Sequence, residues 1–159
     1  MAMPVTDENA LPLLRAFARL EFRLKNDPGF LRAGPYRMAQ VNWPAVDVAV
    51  DQIPDQVFLD LISDSTRDKV LNAPRDRPMV QEVEIVNGRR VPSFKFLALQ
   101  ASDAGALLEA ARRVRNNLFH GAKEAEHLGD DDAWAIAATE IVTLLLDLLD
   151  HQHLHSATP

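Results

Sequence analysis

One stretch of this chain gathers residue types suited to work on a phosphodiester: Arg112-Arg113-Val114-Arg115-Asn116-Asn117-Leu118-Phe119-His120-Gly121. Arginine offers a permanent, planar positive fork for a phosphate and the charge that develops on it. Histidine is the natural proton shuttle near neutral pH. Asparagine can orient a phosphate, a ribose 2′-hydroxyl or an imidazole. At about 100° per helical residue, Leu107, Ala111, Val114 and Leu118 form a core face. Asn116 and His120 then lie one turn apart on the opposite side, with Arg112 and Arg113 beside them. A helix C-terminus favours the imidazolium form of a histidine placed there. Arg115 and His120, five residues apart, point roughly 140° away from each other on a straight helix. Joint action requires a distorted helix end or a second copy of the site, and Phe119, also off the core face, suits such an interface. The plain alternative is a cation-rich helix end closed by Gly121, with charges that complement the helix dipole.

The elements that must position this stretch read as mainly helical. A first helix is expected from near Asn9 to about Lys25, starting no earlier than Glu8 because Pro12 belongs in a first turn. Leu13, Leu14, Phe17, Leu20, Phe22 and Leu24 mark its apolar side. Residues 30–40 read as loop or short helix, and Trp43-Pro44 as the entry to another. A further helix covers about Asp55 to Ser63 and extends in one reading to Leu71. Val80–Val86 alternates as a strand, Asn87-Gly88 is a two-residue hairpin turn, and Arg89–Phe96 returns, with Pro92 demanding an edge position. The helix carrying the motif starts at Ser102 or Asp103. A last helix, capped by Asp130–Asp132, runs from Ala133 to about Leu149 and is apolar nearly all round, as a central buried helix would be. The tail from His151 is expected to fray.

Composition sets outer bounds. The 159 residues are one domain's worth, and 47% apolar with 25% charged is ordinary globular usage. With no cysteine, disulfide scaffolds, cysteine–zinc sites, iron–sulfur clusters and thiol nucleophiles are excluded. The net charge of −6 is uneven: from Asp130 onward there are six acids and no Lys or Arg, so residues 1–129 hold 17 bases and 17 acids. That neutrality leaves room for a local basic site and argues against broad nucleic-acid coating. The start of the chain shows no secretory pattern and no run approaches a membrane span, so the expected compartment is the cytoplasm. Walker, GxGxxG, G-x-S-x-G and H-E-x-x-H motifs are absent from the sequence.

Arg115-Asn116-Asn117-Leu118-Phe119-His120-Gly121 resembles the signature of the HEPN superfamily, the higher-eukaryote and prokaryote nucleotide-binding domains: an Arg, a polar residue, a few more residues, then His. Phe17–Lys25 is similar to the first helix of bacterial members, and the apolar last helix fits their bundle. The resemblance implies a HEPN-like helical bundle in a single domain, with a small inserted β-hairpin near residues 80–96, that dimerises and brings two motifs together. It implies a metal-independent endoribonuclease, a toxin or anti-phage component, in which the RNA 2′-hydroxyl attacks and a 2′,3′-cyclic phosphate results. His120 is then the general acid/base, Arg115 stabilises the phosphate and Asn116 helps. Arg112, Arg113, Asn117 and Lys123 are candidates for substrate binding, and Glu21 for orienting Arg115 or His120, although a Glu21–Lys25 pair is the simpler reading. No metal and no cofactor are expected. RNA, a second copy and a nucleotidyltransferase-like antitoxin are the implied partners, without a membrane. The alternatives are a catalytically inactive HEPN-like module that binds RNA, a nucleotide or a protein, and a purely structural helical subunit.

Four further features have plainer readings. Arg89, Arg90 and Lys95 either touch RNA backbone or protect a strand edge. His151, His153 and His155 read as tail rather than metal ligands, and Asp130–Asp132 as caps rather than a Mg²⁺ site. Trp43 and Trp134 read as core or interface aromatics.

Overall fold

The computed structural model describes residues 5–119, 131–151 and 153–156. Among them are six α-helices and two small antiparallel hairpins: α1 (Asp7–Lys25), β1 (Leu31–Ala33), β2 (Ala39–Val41), α2 (Trp43–Asp51), α3 (Asp55–Leu61), α4 (Asp64–Leu71), β3 (Val80–Val86), β4 (Arg89–Lys95), α5 (Asp103–Phe119) and α6 (Asp131–Asp150). The protein is therefore mainly helical. No helix among the described residues is long and apolar enough to cross a membrane.

The core forms where α1, α5 and α6 meet. Leu13, Phe17, Leu20 and Leu24 recur at helical spacing along α1 and are fully covered, as are Leu107 and Leu108 of α5 and Ile141 and Leu145 of α6. Phe30 and Phe58 close the core from the segments between. Each such side chain contributes roughly 1.5–3 kcal/mol relative to exposure. Leu14 and Phe22, expected on the apolar side of α1, are instead exposed. Leu14 lies about 100° and Phe22 about 180° around the helix from Leu13, and both keep much of their surface open.

The start of α1 departs from the sequence reading. The helix begins at Asp7, which puts Pro12 well inside it. Asp132 explains the earlier start. Its carboxylate accepts both the backbone N–H of Thr6 at 2.8 Å and the Thr6 hydroxyl at 3.1 Å, tying the first turn of α1 to α6. Those bonds, the backbone one foremost, hold the Asp132 carboxyl below its usual range. Asp132 thus links two helices from within the first turn of α6 rather than capping it; Asp130 lies outside the described residues.

Other boundaries follow local chemistry. Ser63 breaks the long helix considered over 55–71: its hydroxyl accepts from the Thr66 N–H and starts α4. Ser102 does the same for Gly105 at 3.0 Å in α5. The β1–β2 hairpin, read from sequence as loop or short helix, turns through Tyr36 and Arg37, both at positive φ. The tail does not fray within 153–156. Leu154 is buried, and Ser156 donates to Asp27 at 3.1 Å.

Glu140 of α6 anchors α4. Its carboxylate accepts the N–H and hydroxyl of Ser63 and the hydroxyl of Thr66. Burial alone raises its pKa, but these bonds outweigh burial and the carboxyl sits below its usual range. Such a group contributes fully above the ordinary glutamate range and loses its contribution as pH falls through the folded pKa. Glu140→Gln is expected to cost about 1–2 kcal/mol at neutral pH, the figure being limited by solvent access. Urea titrations of the two proteins should converge as the medium becomes acidic; a pH-independent gap would show that charge is not involved.

Candidate functional site

The arginines and amides at the end of α5 do not form one cluster. At about 100° per residue, Arg115, Arg112 and Asn116 span one sector of the helix, and Arg113 with Asn117 occupies the next. The structure sends these two groups to different neighbours.

Arg115 faces α1. Its guanidinium lies 2.7 Å from a carboxylate oxygen of Glu21 and 5.4 Å from the centre of the Phe17 ring. Glu21 and Phe17 are one helical turn apart, so a single face of α1 supplies both the anion and the aromatic platform. Glu21 pairs with this arginine rather than with Lys25, the simpler partner in sequence. The arginine side chain keeps 31% of its surface exposed. It is therefore held in orientation without being sealed off.

Arg112 faces α2. One of its nitrogens contacts both Asp47 carboxylate oxygens, at 2.9 and 3.1 Å, and its guanidinium lies 5.0 Å from the Trp43 ring centre. Burial pushes the Asp47 carboxyl above its usual range, although Arg112 pulls the other way. Asn116, next to Arg115 in sequence, is exposed at the surface.

Arg113 and Asn117, expected as substrate-binding candidates, are turned inward. Arg113 is buried and donates to the carbonyls of Pro78, Leu97 and Ala98 and to Glu109, at 2.7–3.2 Å. Asn117 is also buried and donates to the Met79 carbonyl at 2.9 Å. Both clamp the base of the β3–β4 hairpin to α5. Their donors satisfy backbone acceptors that have no other element to pair with, and neither presents a face to an incoming ligand.

His120, Gly121 and Lys123 lie outside the described residues, as does the side chain of Phe119. Lys95 forms ion pairs within the hairpin, 2.8 Å from Glu82 and 3.7 Å from Glu84, while Arg89 and Arg90 stand exposed at its tip. Trp134 lies beneath the Lys69 ammonium at 4.8 Å. Nδ1 of His151 contacts the Asp147 carbonyl at 2.7 Å. Among the described residues, no three His, Asp or Glu side chains gather in a way that would hold a metal ion.

Sequence reasoning missed Asp47 and Phe17 as partners of the motif arginines. The i, i+4 spacing of Phe17 and Glu21 was a usable signal for a shared face, but nothing local says that this face meets α5. No protein-family model, no curated protein and no solved structure matches the chain.

Proposed function

We propose that this protein is an endoribonuclease of the HEPN type that cleaves RNA without a metal or other cofactor. The observation that carries the reading is the Glu21–Arg115 pair: an arginine of the motif, oriented by a carboxylate and an aromatic ring yet open to solvent, directly before the exposed Asn116. Arg115 stabilises the scissile phosphate, Asn116 assists, and His120 moves the proton as the 2′-hydroxyl attacks and a 2′,3′-cyclic phosphate forms. Glu21 acts as the positioning residue for Arg115. Arg112, held at the edge of the same sector, is paired with Asp47 of α2.

The frame supports this reading in outline, being helical with an apolar last helix. An exposed stripe on α1, made of Leu11, Leu14 and Phe22 beside Glu21, offers the second copy a surface next to Arg115. Pairing there supplies a second motif, which answers the divergence of Arg115 and His120 on one helix. A cytoplasmic toxin or anti-phage role, with a nucleotidyltransferase-like antitoxin, belongs to the same proposal and rests on the resemblance of the motif.

The test is cleavage of several single-stranded and structured RNAs by purified protein in excess EDTA. Wild type is expected to cleave and to leave 2′,3′-cyclic ends, and His120→Ala to slow the reaction by about 10²–10⁴-fold, the usual contribution of a general acid/base. A folded, dimeric protein with no activity, or a His120→Ala variant as active as its parent, overturns the proposal.

A second reading is a non-catalytic RNA- or protein-binding module. One observation favours it: Arg113 and Asn117 are spent on internal carbonyls, and Arg112 and Arg115 are each neutralised by an acid. RNA binding without cleavage in the same experiment would select it.

A further inference from the structure

The β3–β4 hairpin has two outer edges, and they are not equivalent. Asn87 and Gly88 both have positive φ, at 52° and 75°, and Val86 pairs with Arg89. This is the two-residue turn whose twist suits antiparallel strands. In such a hairpin the closing pair exchanges both ladder bonds, and the pairs then alternate. Val86/Arg89, Glu84/Val91, Glu82/Ser93 and Val80/Lys95 are the bonded pairs. Ile85/Arg90, Val83/Pro92 and Gln81/Phe94 aim their backbone groups outward.

Pro92 therefore loses no ladder bond, and it removes the central donor from the outer edge of β4. The outer edge of β3 has no such guard. Gln81, Val83 and Ile85 each turn an N–H and a carbonyl outward, and none of these groups pairs with a described residue. The side chains of Val83 and Ile85 on that edge are 68% and 74% exposed. A long apolar edge left open is unusual, because proteins ordinarily blunt such edges with proline, charge or cover. Here β4 carries Pro92 on its outward side, while on β3 the charged Glu82 and Glu84 alternate with the exposed Val83 and Ile85. A two-stranded ribbon is also marginal alone, and a third strand would complete a more stable sheet.

Charge decides what fits. Glu82 and Glu84 lie on the opposite face from Val83 and Ile85, and both turn toward the single ammonium of Lys95. Antiparallel pairing of β3 with β3 of a second copy, centred on Val83, sets Glu82 opposite Glu84 twice over. Like charges opposite each other destabilise a sheet. A strand bearing lysine or arginine on that face instead gives each of the two carboxylates that share Lys95 a cation of its own.

We infer that the open edge of β3 is a strand-addition site for an extended segment of another protein, in which apolar residues alternate with basic ones. The apolar side chains cover Val83 and Ile85, and the basic ones pair with Glu82 and Glu84. Backbone bonds to Gln81, Val83 and Ile85 supply the register, as in other strand-addition complexes. The inference does not depend on ribonuclease activity.

The test uses the intact protein and two synthetic peptides, one alternating valine with lysine and one alternating valine with glutamate. The valine–lysine peptide is expected to bind and to slow amide exchange at Gln81, Val83 and Ile85, while Glu82 and Glu84 are already protected without it. Val83→Pro is expected to weaken binding at least tenfold; Pro92, directly across, shows that this hairpin accepts proline at such a position. The charge-reversed variant Glu82→Lys/Glu84→Lys should exchange preference and take the valine–glutamate peptide. Absence of saturable binding, or no new protection at the three outward amides, overturns the inference whether or not a variant folds. So does an edge filled by a second copy, seen as Val83→Pro reducing the oligomeric state while the peptide fails to bind.

Discussion

Arg113→Met is expected to destabilise the protein by about 3–5 kcal/mol, the range for removing one partner of a buried charged network. The side chain makes four hydrogen bonds, three of them to backbone carbonyls in the segments that flank the hairpin. Methionine fills similar space without a donor. It leaves those carbonyls dry and unpaired, and each such acceptor costs about 1–3 kcal/mol when no water replaces the donor. For a domain of this size the loss corresponds to roughly 10 °C in Tm. Arg113→Lys should recover only part of it, because a compact ammonium cannot reproduce the planar fork. Thermal melts of the three proteins check this. A Tm within 2–3 °C of the parent for Arg113→Met would mean that water or another donor satisfies the carbonyls.

Arg115→Ala is expected to lower RNA cleavage by about 10²–10³-fold, the usual result of removing one preorganised donor from a developing oxyanion. Stability should change little, since a pair this exposed contributes at most about 1 kcal/mol. Glu21→Gln keeps the shape but removes the charge that orients the guanidinium, and a fall of about tenfold in kcat is expected. The double variant should be no worse than Arg115→Ala alone, because Glu21 acts through the arginine and residues that act as a unit are not additive. Fully additive losses, or an Arg115→Ala variant that fails through unfolding, would assign the pair a structural role.

The NG hairpin was legible because its signals are local: alternation, a two-residue turn and a proline at an edge all act within seventeen residues. The start at Ser102 was legible for the same reason, as a cap acts over three residues, whereas the sequence reading left open whether the helix from Asp55 stopped at Ser63 or ran on to Leu71. The β1–β2 hairpin was not, because its strands have three residues each and its turn uses Tyr36 and Arg37 at positive φ, which carries no compositional mark. The early start of α1 depends on Asp132, 126 positions away from Thr6, and the docking of the tail depends on the single buried Leu154. At the candidate site, sequence placed Arg112, Arg113 and Asn117 together as substrate-binding candidates beside the catalytic candidate Arg115. Their environments differ because α1, α2 and the hairpin base meet α5 at different angles, and periodicity along one helix does not encode which neighbour stands at which angle.

The clamp formed by Arg113 and Asn117 has one more consequence. It fixes residues 78, 79, 97 and 98 to the turns of α5 that also carry Arg112, Arg115 and Asn116. The root of the hairpin and the end of the motif helix are therefore one lever with two handles. A displacement of the hairpin root would therefore carry the backbone of the motif helix with it.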